Sequence, residues 1–384
     1  MRTFNLLLQY LFFLASSSSL VHGQTTTSNV CNGVNGLCGF SVNEILYGMV
    51  HNAMSSPSHG FTIFSNHEND PIVASLDAGY RGISLDICRC NGQLVFCHGS
   101  SLVGCGVGSR NATETFQQID DWLEANPREV VVFFLQVNNG AGGGAADISL
   151  QDVESILSNS FKSKMYQHDN VAWPTLGEMV QDCKQIIFFY TSGPNGNPPN
   201  GNPNGIHFFF DYASQTSFSH RSVESLQGAP CEAIGTQQDF YLFNDFILDN
   251  GIAPSKAAAQ TINTGTFVEP ILEQCQSVFD HPVNFVSVDF WSHGDLSDFI
   301  PTYNAGLVVK DGGGGGGGGG GDSTKAQVTV STDACRPVTV TPTSAPTLSP
   351  PSAPSNPTPD SSANRDIGTR LLILSLTVSV ILLA

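Results

Sequence analysis

The sequence predicts an α/β fold in which a parallel sheet closes into an irregular TIM-type (β/α) barrel. Short runs rich in Val, Ile, Phe and Tyr alternate with segments of helical periodicity, and the runs are apolar on both faces. Such runs are typical of parallel strands that are covered by helices. Six or seven of them over about 260 residues favour a barrel over the alternative, an open doubly wound sheet. No Gly-x-Gly-x-x-Gly motif follows the first run, as a dinucleotide-binding sheet would require.

The predicted strands can be followed along the chain. The first is the apolar run 45–50, and the helical segment "DPIVASLDA" leads into the second run, 79–87. The amphipathic segment "TETFQQIDDWLEAN" precedes a near-continuous β run at 129–137. Further runs of the same composition stand at 185–192, 206–213, 239–247 and 283–291. Strands and helices therefore alternate over most of the chain, as a (β/α) barrel requires.

Both ends of the chain are predicted to be sorting signals. Residues 1–23 combine a basic start, an apolar stretch and small polar residues, which is typical of a secretory signal peptide. The apolar run 371–384 ends the chain behind a polar spacer and a group of small residues. This order is typical of a glycosylphosphatidylinositol (GPI) attachment signal over 364–384, with attachment at Ser361 or Ser362, and a single-pass tail anchor is the alternative. We therefore expect a secreted protein on the extracellular face of the plasma membrane or in the cell wall.

Two segments of low complexity precede the C-terminal signal. Residues 311–322 are a Gly-rich linker, and residues 323–363 are rich in Ser, Thr and Pro, like an O-glycosylated stalk. Neither composition can bury a core. The folded part is therefore expected over residues 28–310, a length that suits one large α/β domain.

The ten cysteines predict disulfides, because the chain is expected to enter an oxidising compartment. Cys31 and Cys38 flank a turn rich in Gly and Asn and are expected to pair, and no Cys/His spacing suits zinc. The sequon at Asn111 predicts an N-glycan. The same side chain is also a candidate helix cap, because Glu114 follows three residues later, and a glycan and a cap would compete for it.

The formal net charge of −18 excludes some partners. There is no basic stripe that could neutralise nucleic-acid phosphates, and acidic proteins are not drawn electrostatically to anionic lipid surfaces. We expect no nucleic-acid partner, a membrane association that comes from the GPI anchor, and a monomer.

Polar residues end the predicted strands and are expected to meet at one rim, where barrel enzymes carry their catalytic side chains. These residues are His51, Asn52, Asp86, His98, Gln136 and Asp289. Two histidines on one rim suit the cleavage of a phosphodiester, since one imidazole removes a proton from the attacking hydroxyl and the other protonates the leaving alkoxide. An imidazole titrates at about pH 6.5 in model peptides, so both forms are accessible near neutrality.

Five stretches form a specific combination: "GMVHNAM", "LDAGYRGISLDICRCNGQLVFCHG", "REVVVFFLQ", "LFNDF" and "NFVSVDFWSHGDL". In this order they resemble the X domain of phosphatidylinositol-specific phospholipase C, in its branch of secreted single-domain phosphodiesterases. The resemblance covers nearly all of the expected folded part. It implies a PLC-like phosphodiesterase barrel and a two-histidine hydrolase of phosphoric diesters.

The resemblance also implies a role for individual residues. His51 matches the general base on the inositol 2-hydroxyl, and His98 matches the general acid toward the diacylglycerol leaving group. Asp289 would support the base histidine, in a stretch where the match is looser. Asn52 matches a residue that contacts phosphate or metal, and Asp86 matches one of two acidic metal ligands in calcium-dependent members.

The chain departs from the family pattern at the positions whose residues or metal ion offset the negative charge of the phosphate. Calcium-dependent members carry carboxylates at the positions of Ser84 and Gln136, and calcium prefers six to eight oxygen ligands with several carboxylates. Metal-independent bacterial members have an arginine at the position of Asp86. No cofactor is therefore certain; a weak Ca²⁺ site at Asn52 and Asp86, or reduced activity, are both open.

Two further residues are candidates for substrate binding. Arg89, three residues after Asp86, would take the place of the missing arginine at the phosphate. Trp291 would stack on an inositol ring, with simple packing as the alternative.

Two functions of different classes fit these residues. The first is a surface-anchored enzyme that cleaves a phosphoinositide-like headgroup, with a cyclic inositol phosphate as first product; GPI anchors are a second substrate option. The alternative is a weakened or inactive barrel that acts as a cell-surface binding or structural protein. The intact histidine pair favours the enzyme, and the missing carboxylates favour the alternative. A glycerophosphodiesterase would need more acidic metal ligands than the chain offers.

Overall fold

In the part of the chain that the structure describes, the central sheet consists of two short antiparallel strands, Gln93–Phe96 and Arg110–Asn111, and of eight parallel strands. In chain order they are β1 Tyr47–Val50, β2 Gly82–Cys90, β3 Val131–Val137, β4 Ile186–Ser192, β5 Ile206–Phe208, β6 Ala213–Gln215, β7 Phe240–Asp245 and β8 Phe285–Val288. Their order in the sheet is β5-β4-β3-β2-β1-β8-β7-β6, and every neighbouring pair is parallel. This is the order of a (β/α) barrel with an open seam between β5 and β6, which no ladder joins within the described residues. The predicted irregular barrel is therefore confirmed.

The computed structural model describes residues 27–62, 65–98, 105–137, 148–169, 171–192, 203–228, 230–235, 239–251, 253–312, 328–331 and 335. The predicted signal peptide, the GPI-attachment signal and its residues Ser361 and Ser362 lie outside these ranges. Within them, no helix is both long enough and apolar enough to cross a membrane.

Most helices of the described residues cover the outside of the sheet, whereas the helix Leu176–Gln181 packs with the interior cluster at the amino-terminal end. The helices are α1 Ile72–Asp77, α2 Ala112–Ala125, α3 Leu150–Ile156, α4 Asn159–Lys164, α5 Leu176–Gln181, α6 Val223–Gly228, α7 Lys256–Ile262, α8 Gly265–Phe279 and α9 Leu296–Gly312. Asn111 is the N-cap of helix α2, and its side chain accepts a hydrogen bond from the backbone N–H of Glu114 at 3.0 Å. The cap that the sequence offered is thus formed, and the glycan on Asn111 stays a prediction.

Burial on both faces explains why the strand runs are continuously apolar. One core cluster joins one face of most strands to the helices and includes Val50, Ile83, Phe133, Phe188 and Phe243. The other fills the barrel interior at the amino-terminal end of the strands and includes Met49, Val132, Phe134, Phe189 and Leu242. Because side chains alternate along a strand, successive residues serve the two clusters in turn.

The predicted single strand at 206–213 is two short strands, β5 and β6, separated by a 3₁₀ turn at Phe209–Asp211. The turn brings the Phe209 ring into the interior, edge-on to Phe134 with ring centroids 4.4 Å apart. In the sequence, an apolar residue that ends a strand looks the same as one that continues it. The apolar pattern therefore predicts one strand where the structure has β5 and β6. The seam of the barrel lies at this interruption.

The run before His98 is an antiparallel hairpin strand and not a further barrel strand. Gln93–Phe96 pairs back onto the end of β2, and the turn between them uses Asn91 and Gly92, both with positive φ. Asn-Gly is the preferred pair for such a tight turn, because both positions need a left-handed backbone. Because the hairpin folds back along the end of β2, His98 lies at the same rim as Asp86 of β2.

All ten cysteines are paired, as predicted. The five disulfides are Cys31–Cys38, Cys88–Cys97, Cys90–Cys105, Cys183–Cys335 and Cys231–Cys275. Two of them tie the hairpin and the segment after it to β2. The Cys183–Cys335 bridge and a two-stranded ladder between Thr27–Ser28 and Val330–Ser331 attach part of the expected stalk to the folded domain.

Candidate active site

A cavity of about 490 Å³ opens where the strands end. Its polar lining consists of His51, Asn52, Asn66, Ser84, Asp86, His98, Gln136, Thr191, Gln215, Asn244 and Ser287. These residues come from nearly every strand of the barrel, and they stand one layer above the apolar residues that fill its interior. The rim predicted from the strand ends therefore exists, and it brings the two histidines into one cavity.

His51 is paired with a buried carboxylate. Its Nδ1 lies 2.9 Å from Asp289 Oδ1, and Asp289 is only 2 % exposed. A carboxylate only accepts, so Nδ1 carries the proton and the lone pair is left on Nε2, as a general base requires. The ring also stacks on Phe246, with centroids 4.0 Å apart and planes 5° from parallel. The carboxylate and the phenyl ring together fix both the tautomer and the plane of the imidazole.

The backbone around His51 is held by its neighbouring strands. The His51 N–H donates to Val288 O at 3.0 Å, which extends the ladder between β1 and β8. Asn52 then takes a left-handed conformation with φ of 47°, and the Ala53 N–H donates to Ser84 O at 2.8 Å. Asparagine tolerates this conformation better than other side-chain-bearing residues. The sharp turn directs the buried Asn52 side chain into the cavity.

His98 reaches the same cavity from the hairpin. The Cys97 N–H donates to Asp86 O at 3.0 Å, and the Cys88–Cys97 disulfide fixes the residue immediately before His98. Asp86 itself lies opposite Gln136 on β3, which in turn lies opposite Thr191 on β4. A row of one carboxylate, one amide and one hydroxyl thus crosses the cavity wall beside the second histidine.

This geometry can be set beside known proteins. A family model described as PI-PLC X 1 matches residues 38–304. The chain belongs to the PI-PLC X-domain family. A relative from Arthroderma benhamiae, PI-PLC X domain-containing protein 1, is 25 % identical over 286 residues, which cover 71 % of this chain and 88 % of the relative.

Solved structures of phosphatidylinositol-specific phospholipase C from Staphylococcus aureus are also similar. A mutant form matches with 13 % identity and a TM-score of 0.47, over 69 % of this chain and 93 % of that one. A form with incorporated pentafluoro-phenylalanine matches with 14 % identity and a TM-score of 0.48, over 71 % and 95 %.

The donor atoms of this X domain do not fit a calcium site. Asp86 is the single carboxylate among the described residues that line the cavity, and the other donors at the row are neutral. The only group of three His, Cys, Asp or Glu ligands found in the described ranges is Cys88, Cys90 and Cys105, which are all in disulfides. Calcium needs several carboxylates in one shell, and the described lining residues supply one.

The structure does not bring Arg89 to the cavity of the X domain. Its Nη2 lies 3.0 Å from Asp152 Oδ1, and it is not among the lining residues. Side chains alternate along β2, so Ser84 and Asp86 share the inner face while Arg89 points to the other. The expectation that Arg89 binds phosphate is therefore corrected.

Trp291 also lies away from the cavity lining. Its ring packs edge-on against Tyr80 with centroids 5.9 Å apart, and the Tyr80 hydroxyl donates to Trp291 O at 3.0 Å. Trp291 is therefore a packing residue in this structure, because its ring packs against the core cluster between the sheet and the helices.

Four residues of the X domain have no role in the predictions made from the sequence. Asn66, His67 and Phe246 contact His51 or its partner Asp289, and Asp245 precedes Phe246 at the end of β7. Asn66 Nδ2 donates to Asp289 Oδ1 at 2.7 Å, and His67 Nε2 lies 2.7 Å from His51 O. Asp245 is fully buried between the sheet and the helices, no hydrogen-bond partner is found for either carboxylate oxygen within the described residues, and burial raises its pKa well above the usual range. Phe246 and Asp245 belong to "LFNDF", a stretch that the resemblance had already marked, whereas nothing in the sequence around Asn66 and His67 identifies them.

The other half of the cavity is apolar. It is formed by Met49, Phe134, Phe210, Phe218, Ile234, Leu242, Phe246, Leu248 and Pro254. Phe218 and Ile234 are 57 % and 44 % exposed, so they form the outer part of this wall. A ligand with both a polar and an apolar part would match the two halves of the cavity.

Proposed function

We propose that this protein is a phosphoric diester hydrolase of the phosphatidylinositol phospholipase C type, which cleaves a phosphoinositide-like headgroup. The observation that carries the proposal is the meeting of His51, held by Asp289, with His98 in one cavity. Family membership supports the reaction class. The apolar half of the cavity supports a lipid as the substrate, because it offers a surface for the glycerol and the first part of the acyl chains.

The proposed chemistry uses the two imidazoles in one step. His51 Nε2 takes the proton of the inositol 2-hydroxyl while its oxygen attacks phosphorus, and the imidazolium that forms is stabilised by Asp289. The bond from phosphorus to the glycerol oxygen breaks, and this oxygen takes a proton from His98. The products are a cyclic inositol phosphate and diacylglycerol. Asn52, Ser84 and Gln136 supply polar groups to the phosphate oxygens.

Location at the cell surface is part of the proposal and rests on the predicted signal peptide and GPI signal. An outward-facing enzyme of this kind would meet lipids of the outer leaflet.

One observation favours a second candidate, a barrel that binds a headgroup without cleaving it. No Lys or Arg is found among the described residues that line the cavity. Charge that develops on a transferring phosphoryl group needs a cation or strong donors to stabilise it. Neutral donors would suffice for binding while leaving turnover slow.

Product analysis distinguishes the two candidates. Purified protein would be incubated with phosphatidylinositol carrying a labelled inositol, with and without calcium, and the water-soluble products separated. The enzyme releases a cyclic inositol phosphate, and His51→Ala and His98→Ala each reduce its rate by about 10²–10⁴-fold, as loss of acid–base catalysis does. His281→Ala, whose ring bonds to Pro282 O and does not line the cavity, serves as the matched control and keeps the parental rate. Binding of the lipid with no release of product in any condition would establish the second candidate.

A further inference from the structure

The residues 65–67 lie directly behind the His51–Asp289 pair and contact both of its members. Asn66 Nδ2 donates to Asp289 Oδ1 at 2.7 Å, the same oxygen that accepts from His51 Nδ1. His67 Nε2 lies 2.7 Å from the backbone oxygen of His51. Asn66 and His67 are each 1 % exposed. The base histidine is therefore held through its side chain by Asp289 and through its main chain by a second, buried histidine.

The ring of His67 has one defined tautomer. A carbonyl oxygen only accepts, so Nε2 carries the proton, and Nδ1 is buried with no hydrogen-bond partner found among the described residues. The charged and titratable groups that act on it are Asp289 and Asp70, which raise its pKa, and His51, which lowers it. Burial outweighs them all and lowers the pKa of His67 to about 4. The ring is thus a neutral donor at neutral pH, and protonation would leave a buried N–H without an acceptor.

The segment is fixed to the loops that follow β1 and β8. The His67 N–H donates to Ser55 O at 3.1 Å, and the Asn66 N–H donates to Ser55 Oγ at 3.1 Å. On the other side, the Phe290 N–H donates to Asn66 O at 2.8 Å. The segment therefore connects the turn that carries His51 to the residue that follows Asp289.

We propose that Asn66 and His67 are positioning residues for the general base: His67 fixes the main chain of His51, and Asn66 fixes the carboxylate that His51 must meet. Neither residue reaches the reacting atoms through this role. The catalytic consequence rests on the proposed function, whereas the effect on the geometry of the His51–Asp289 hydrogen bond does not. A displacement of the base by about 1 Å would reduce the rate by about 10²-fold.

The low-field region of the proton NMR spectrum reports the geometry of the His51–Asp289 hydrogen bond without any substrate. The proton shared between His51 Nδ1 and Asp289 should give a low-field signal that His51→Ala and Asp289→Asn abolish. His67→Phe removes the donor but keeps a planar ring, and we expect it to shift or broaden this signal. His67→Gln can still donate to His51 O, and we expect it to restore the signal. Asn66→Leu should shift the signal by releasing Asp289 Oδ1.

His207→Phe is the matched control for loss of a buried histidine. His207 is fully buried, also contacts a backbone oxygen, at 3.2 Å from Phe188 O, and also has a pKa lowered to about 4 by burial. Its ring contacts Trp173 and Phe189 of the interior cluster and does not line the cavity. We expect His207→Phe to leave the low-field signal in place. With phosphatidylinositol as substrate, His67→Phe should reduce kcat by about 10–10²-fold with little change in KM, and His67→Gln should recover most of it.

Several results would overturn the proposal. A folded His67→Phe protein with the parental signal and the parental kcat would do so, and so would a His207→Phe protein that loses the signal to the same extent. If His67→Phe does not fold, nitrogen NMR of the parent decides: a neutral His67 ring whose proton lies on Nδ1 cannot donate from Nε2 to His51 O, and finding it would overturn the proposal. A parent that shows the signal and its response to the variants but hydrolyses no phosphoinositide would refute the proposed function and leave the positioning role standing.

Discussion

The buried carboxyl of Asp245 should make the protein less stable as the pH rises above about 4, the pKa of an unfolded aspartate. Asp245 is fully buried, without a hydrogen-bond partner for either oxygen in the described part of the chain, and burial raises its pKa well above the usual range. Two causes raise the pKa of the nearby Tyr80 hydroxyl: burial is the larger, and the electrostatic effect of Asp245 is the second. The folded protein therefore binds the Asp245 proton more tightly than the unfolded chain does.

The magnitude follows from linkage between protonation and folding. Where the folded state holds one proton more than the unfolded state, the free energy of unfolding falls by about 1.4 kcal/mol for each pH unit. For Asp245 this range begins at about pH 4, the pKa of an unfolded aspartate, and ends at the raised pKa of the folded state. Asp245→Asn cannot titrate. The difference in unfolding free energy, variant minus parent, should therefore grow by about 1.4 kcal/mol per pH unit across that range.

Urea denaturation of the disulfide-bonded protein at several values between about pH 5 and pH 8 measures this difference. Asp152→Asn is the control, because hydrogen bonds from Ser149 and the nearby Arg89 lower the pKa of Asp152, so this carboxyl stays ionised over the whole series. Its difference from the parent should not vary with pH. Parallel loss of stability in the parent and Asp245→Asn would show that the folded carboxyl does not hold its proton, and would refute the reasoning.

Further predictions concern the two histidines, the hairpin, the stacked ring and the chain end. A leaving group that needs no protonation should largely rescue His98→Ala and not His51→Ala in a kinetic assay; equal rescue of both would contradict their assigned roles. Replacing Cys88 and Cys97 by Ser should lower kcat more than the same change at Cys31 and Cys38, since only the first bridge adjoins His98. Phe246→Ala should lower the free energy of unfolding by about 3–5 kcal/mol and reduce the rate of turnover, because it removes a ring that is buried against His51. An unchanged midpoint of urea denaturation would contradict this. Intact-mass analysis should find a mature protein that lacks 371–384 and carries a lipid near Ser361 or Ser362, and a retained apolar tail would exclude GPI attachment.

The barrel could be predicted because both faces of its strands are buried. That condition makes runs such as 129–137 apolar throughout, and the pattern of such runs is enough to indicate a parallel sheet. The break between β5 and β6 could not be predicted in the same way. Phe209 is as apolar as a strand residue, and only its packing against Phe134 shows that the chain has already turned.

The candidate site divides along a similar line. His51, Asn52, Asp86 and His98 stand in short motifs at strand or hairpin ends, and the structure places all four in one cavity. Asn66 and His67 lie in an irregular segment with no periodicity, so their contacts with the base depend on how distant parts of the chain pack.

The position of Arg89 could have been predicted from the sequence. Side chains alternate along β2, so a residue three positions after Asp86 lies on the other face of the strand. Proximity in sequence to Asp86 is therefore not enough to place a side chain in the cavity, because neighbouring residues of a strand lie on opposite faces.

The pairing of β1 with β8 has a consequence for how the protein is made. His51 and Asp289 are 238 residues apart in the chain, yet they are neighbours because the first and last strands of the barrel pair with each other. A growing polypeptide that has emerged from the ribosome through β7 already contains both histidines but not the carboxylate that orients one of them. If His51 acts as the proposed base, turnover would therefore begin only after β8 has been synthesised and has paired with β1, so that hydrolysis would report a late step of folding.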